Sequence, residues 1–337
     1  MKKSLTGIDI FKLLAALGVV AIHTGLPFFK ILGRLGVPFF IVISSYFFFR
    51  HYLKLSNVEA VKYLKKFIFR IGLLFLTWEV FYLPLAIYNN LKFINQTKDS
   101  FSILHIICKI IFDFFYPVPS NGNGWGPSWY LLAMIIGLPL FVFIYKLLKT
   151  NLMILGLIVL LIEIYYILAN GYGYLTHLST LGTYAFPRVM VYIFMGLLLV
   201  HFKSKINQIN IKYIVKISFL LILLFLGENF LIKNMGGAIN SEEVFTTVPS
   251  SFSMTTLALK WNPNIKHTIQ YRNFSTFLYC IQQWLLVIYG KYLPLIINYK
   301  LISVIEFIII ILTSLLIFKM YIFIKEKTHW RFFNYMI

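Results

Sequence analysis

Residues 8–25, IDIFKLLAALGVVAIHTG, and residues 34–49, RLGVPFFIVISSYFFF, are two apolar runs joined by a short turn; the first carries Asp9, Lys12 and His23 within otherwise aliphatic sequence. An ionisable group at the centre of a helix in a bilayer costs about 2.5–3.5 kcal/mol, so three on one run require a reason. Helical spacing supplies it. At about 100° per residue, Lys12 and His23 differ by a net ~20° and Asp9 and His23 by ~40°. All three share one face, with Lys12 about 16 Å from His23 along the axis and Ala16 a low wall between them. The pattern is a polar stripe climbing a transmembrane helix.

The remaining sequence agrees with a membrane setting. Of 337 residues, 60% are hydrophobic, 18% aromatic and only 12% charged, which leaves too little polar surface for a soluble globule. The spacing of apolar runs predicts an all-α polytopic protein of about ten transmembrane helices, at 8–26, 35–50, 67–88, 128–147, 152–169, 184–202, 213–232, 244–260, 274–290 and 301–324. The net charge of +20 does not indicate nucleic acid, because the cations sit between these runs. With the amino terminus inside, 21 of the 31 Lys and Arg residues fall on the cytoplasmic side and 8 outside, with Lys12 and Arg188 within spans. The positive-inside rule therefore selects N-in and C-in, with clusters such as Lys62, Lys65, Lys66 and Arg70 facing anionic lipid. The first run lacks a cleavage signal and is expected to remain in the membrane as part of a single domain over 1–337. Cys108 and Cys280 are expected to be inert buried thiols, and no metal-ligand cluster, P-loop or dinucleotide fingerprint is present.

Other polar residues fall inside or beside the spans. Arg70, at the inner edge of the third span, offers a planar fork to a phosphate. Glu79 lies in the outer half of that span. His105, Lys109 and Asp113 recur at four-residue spacing in 101–115, predicting an interfacial or re-entrant helix. A turn-rich loop, 117–128, then leads to Trp125, Trp129 and Tyr130, aromatic faces that can stack on a sugar ring or serve as an interfacial belt. Arg188 near the outer end of the sixth span has three candidate partners, Glu79, Glu163 and Glu228. The eighth span is weak, rich in Ser and Thr, and expected to face protein.

Several of these residues resemble the acyltransferase-3 family of bacterial integral-membrane O-acyltransferases. That family has a basic residue, ten residues, then His, as Lys12 and His23 are placed here. Its second helix carries an FFxxSGYF-like run, similar to Phe39–Phe47 with Ser45 in place of the usual Gly. Trp129-Tyr130-Leu131 resembles its W-[FY]-L segment and Phe194-Met195-Gly196 its FxxG pattern. Tyr279-Cys280-Ile281-Gln282 resembles its Tyr-x-x-His, with Gln282 at the His position. Gln can still donate and accept hydrogen bonds there.

The resemblance implies an enzyme of the bacterial cytoplasmic membrane. It would move an acyl group, most simply acetyl, from cytosolic acyl-CoA to a hydroxyl of an extracytoplasmic or lipid-linked glycan, with no permanently bound cofactor. His23 would be general base or acyl carrier, Asp9 would orient Lys12, and Lys12 with Arg70 would hold the donor. Trp125, Trp129, Tyr130, Arg188, Glu79 and Gln282 would form the outer mouth for the acceptor. The first helix and its VPFF run also resemble the membrane domain of vancomycin-resistance serine racemases. That likeness implies a transporter of a serine-like amino acid, in which Lys12 and Arg188 would bind a carboxylate.

Overall fold

The structure, a computed structural model, describes residues 5–97, 103–115, 125–178, 186–236, 243–266, 268–295, 301–328 and 330–337. The chain is all-helical there. In order, the helices are α1 (Thr6–His23), α2 (Phe29–Gly33), α3 (Gly36–Tyr52), α4 (Asn57–Thr97), α5 (Ile103–Phe115), α6 (Trp129–Leu147) and α7 (Leu152–Tyr166). There follow α8 (Gly173–Thr176), α9 (Met190–His201), α10 (Lys203–Gln208), α11 (Ile211–Asn234), α12 (Thr247–Lys260), α13 (Thr268–Tyr292) and α14 (Ile302–Thr328). Among the described residues, 7 helical segments are long and apolar enough to cross a membrane. They are α1, the α2–α3 run, most of α4, α6, α7 with its extension, α11 and α14.

The expected spans that fall short of this measure are instructive. Phe186–His201 is apolar but short. α13 is 25 residues long, but Arg272, Asn273 and paired glutamines dilute its hydropathy. α12 has only 14 residues and is rich in hydroxyls. Those hydroxyls bond back to the helix's own carbonyls, Ser251 to Thr247 O at 2.7 Å and Thr255 to Ser251 O at 2.8 Å. A helix that satisfies its polar groups internally can be buried, and Thr247, Ser250, Ser251 and Thr255 are.

The third predicted span proves to be the middle of a 41-residue helix, α4. It opens on Ser56, whose hydroxyl and backbone N–H donate to Glu59 Oε2 at 2.8 and 3.2 Å. That is half of a capping box, and its two hydrogen bonds hold the exposed Glu59 carboxyl below the usual glutamate range. α5 coincides with the helix expected over 101–115 and exposes Leu104, Ile107, Ile111 and Phe112. Cys108 on it is exposed, not buried as expected, while Cys280 is buried. Exposed Leu, Phe and Ile along α4, α7, α11 and α14 form an apolar outer surface suited to lipid.

Close approach of small residues sets the centre of the bundle. A side chain at Gly196 of α9 would meet the Ser45 Cβ of α3 at 2.5 Å, so Ser45 is tolerated because its opposite number is Gly. α1 is held between two layers. On one side a Cβ at Gly33 would stand 2.1 Å from the Gly18 carbonyl oxygen, which brings the α2–α3 turn hard against α1. On the other side α1 packs along α13, with Ala16, Val19 and Val20 in one core with Phe277, Leu278, Ile281 and Leu285.

Candidate active site

The α1–α13 seam collects the polar residues of the first helix. Buried Asp9 has Thr268, Arg272 and Lys12 as its polar neighbours, and Lys12 has Arg272, Asp9 and Arg70. Three cations and one carboxylate thus gather where α1 and α13 begin. The two helices are parallel. From Lys12 the stripe continues along α1 to His23 at the far end, about 16 Å away by helix geometry.

Lys12 and His23 share a further property. Each keeps part of its side chain accessible: Lys12 is half-buried, and His23, the last residue of α1, is exposed. Arg34, on the turn held by the Gly18–Gly33 contact, is the charged neighbour of His23. Half-buried Tyr130 packs edge-on against Tyr279 at 5.1 Å and stacks on Phe40 at 6.4 Å. Gln282 is buried on α13.

The other outer-mouth residues sit differently from the expectation. Trp125 is fully buried, its ring stacked on Tyr82 with centroids 5.6 Å apart and planes 5° apart. The Trp129 ring lies under the Arg188 guanidinium at 4.8 Å. Neither presents an open face to a sugar, because core aromatics and a cation already cover them. Glu79 is buried with Ser128 as its polar neighbour, far from serving as Arg188's partner.

Arg188 instead pairs with Glu243, Nε to Oε1 at 2.8 Å, and both side chains are at most 5% exposed. Glu163 and Tyr192 complete the cluster, and Asn170 faces Glu243. Burial raises the Glu243 carboxyl, and the Arg188 and Asn170 contacts pull it back. Gly171 lets this loop come close, since a Cβ there would stand 1.7 Å from the Glu243 carbonyl oxygen. Glu228, the third expected partner, accepts from Tyr172 at 2.7 Å, from the backbone of Phe245 at 2.9 Å and Thr246 at 2.8 Å, and from the Thr246 hydroxyl.

Sequence reasoning missed Arg272, Thr268, Arg34 and Glu243. Arg272 and Arg34 read as loop cations in the charge tally. A usable signal was present for Thr268, because Thr268 to Gln282 repeats the fourteen-residue step from Asp9 to His23.

An all-helical membrane protein with an accessible histidine at one end of a seam and a cationic cluster at the other defines a class with group-transfer chemistry within its reach. Residues 5–319 match the acyltransferase-3 family, described as an acyltransferase domain, and the chain belongs to that family. An amino-acid racemase of Enterococcus faecalis is 24% identical over 358 aligned residues, covering 97% of this chain and 47% of the relative. A second amino-acid racemase of the same organism is 30% identical over 148 residues, 40% of this chain and 19% of the relative. The chain therefore spans about half the length, or less, of these curated relatives. No solved structure matches.

Proposed function

We propose that the protein is a membrane O-acyltransferase taking an acyl group, most simply acetyl, from cytosolic acyl-CoA to a hydroxyl of an extracytoplasmic or lipid-linked glycan in a bacterial cytoplasmic membrane. The observation that carries the reading is the accessible His23 at one end of a stripe whose other end gathers Lys12, Arg70 and Arg272. With the amino terminus in the cytosol, those cations meet the phosphates of the donor, and its pantetheine arm runs along the stripe toward His23.

Neutral imidazole takes the proton of the acceptor hydroxyl as its oxygen attacks the thioester carbonyl. The tetrahedral intermediate collapses, the C–S bond breaks, and the thiolate recovers that proton from imidazolium. Free CoA and an O-ester result, with no redox change. Asp9 keeps Lys12 aligned across one helical turn. The test is acetyl-CoA turnover by purified protein in lipid nanodiscs. CoA release lost in His23→Ala and retained in the lipid-facing Leu14→Ala supports the reading; a wild type that neither binds nor consumes acyl-CoA overturns it.

The alignment of 97% of this chain with a protein named amino-acid racemase favours a second reading, transport of a serine-like amino acid. Lys12 and Arg272 would then hold the carboxylate. Serine uptake into liposomes without acyl-CoA consumption would establish it.

A further inference from the structure

Gln282 is fully buried on α13, and its two amide ends have unlike surroundings. Nε2 donates to the Tyr279 carbonyl at 3.0 Å. A carbonyl cannot donate, so the end facing it is the NH2 and the orientation of the amide is fixed. The other end, Oε1, has no hydrogen-bond partner among the described residues. A buried amide oxygen in that state has lost its water without gaining a partner, which is a reason to ask what it serves.

Register gives the answer. Asp9 neighbours Thr268 and Lys12 neighbours Arg272, so α1 and α13 climb together from the same end. His23 is fourteen residues beyond Asp9, and Gln282 is fourteen beyond Thr268. Each interval rises about 21 Å and ends ~40° short of whole turns. The two residues therefore stand at about one height along the seam, at the level where Val20 of α1 shares a core with Leu278 and Leu285 of α13. His23, like Gln282 Oε1, has no described protein hydrogen bond on its ring.

We propose that Gln282 is the positioning residue for His23: its Oε1 accepts a hydrogen bond from one imidazole N–H during turnover and leaves the other ring nitrogen as the base. This rests on the acyl-transfer reading above. The free end of the amide can only accept, so it cannot occupy the basic nitrogen. As imidazolium forms, one N–H is held by Gln282 and the other faces the substrate oxygen or leaving sulfur. Arg34 is the charged group facing His23 from the α2–α3 turn. Against this part of α13 lie the titratable groups Tyr82 on α4, with Glu79 beside it, and Tyr130 on α6, while Tyr279 and Cys280 are on α13 itself.

The experiment compares wild type, Gln282→Leu and Gln282→Glu as full chains in nanodiscs, with acetyl-CoA as donor and octyl glucoside as probe acceptor. Gln282→Leu is expected to lose about 10–100-fold in kcat with the KM for acetyl-CoA unchanged, the size of one hydrogen bond to a charged group. Gln282→Glu restores an acceptor and is expected to recover most of that loss, with the acid limb of its pH profile moved by about one unit to higher pH. A substrate-free readout runs beside it, carbethoxylation of His23 against pH, mapped by mass spectrometry. Its midpoint rises by about one unit in Gln282→Glu. If wild type does not turn over acetyl-CoA, the acyl-transfer reading fails while this midpoint still judges the pair. A Gln282→Leu kcat within about twofold of wild type, or an unmoved His23 midpoint in Gln282→Glu, overturns the assignment.

Discussion

Two clusters of ionisable side chains lie inside this bundle, and they are built to opposite rules. Around Arg188 the groups are buried and gathered on one cation: Glu243 at 2.8 Å, Glu163 beside it, and the Trp129 ring under the guanidinium. Along the α1–α13 seam, cations outnumber carboxylates, and Lys12 and His23 stay accessible. A buried, paired cluster is costly to break and so serves the fold, whereas an accessible one with surplus cations is disposed to meet an anionic ligand. The same residue types therefore carry different meanings, and what separates them is access and pairing.

The comparison can be broken at several points. The largest effect is expected at the seam, where His23→Ala lowers acyl transfer by about 10²–10⁴-fold, the usual range for a general base, with little change in thermal stability. Next comes the closed cluster. Arg188→Met strands two buried carboxylates and is expected to cost about 3–5 kcal/mol of stability, read as a lower melting temperature in detergent, while turnover per folded molecule is retained. A variant that kept its melting temperature and lost turnover would move Arg188 into the active site.

Arg272→Gln is the smaller test at the seam. It is expected to raise the KM for acetyl-CoA by about tenfold, the equivalent of about 1.4 kcal/mol, with kcat little changed. The smallest effect lies outside both clusters, at the start of α4. Glu59 is held below its ordinary pKa by Ser56, so its contribution is present above the ordinary glutamate range and lost as pH falls through the depressed value. Ser56→Ala should therefore melt slightly lower at neutral pH, with the difference closing in acid.

Much of the seam was legible because a helix has one dominant period. Asp9, Lys12 and His23 declared a common face from their spacing alone, and the Ser and Thr content of α12 announced a buried span. Arg272 was harder, since its place beside Lys12 has meaning only once α1 and α13 are known to lie parallel. Arg34 depended on the Gly18–Gly33 contact, a long-range fit between backbones that no local pattern reports. Trp125 was misread for a related reason. An aromatic beside a turn-rich loop resembles an interfacial anchor, and only packing reveals that Tyr82 already stacks on it. Glu243, the true partner of Arg188, lies in a loop, where periodicity carries no information.

The central claim, that the seam passes an acyl group from a donor on the Asp9 side to an acceptor on the His23 side, is tested most directly by sidedness. Inverted membrane vesicles containing the protein would be supplied externally with radiolabelled acetyl-CoA, with octyl glucoside inside, beside vesicles bearing His23→Gln. The account predicts labelled ester in the lumen for wild type, none for His23→Gln, and no transfer when the vesicles are right-side-out. Equal transfer from either face, or lumenal ester formed as fast by His23→Gln, would contradict it.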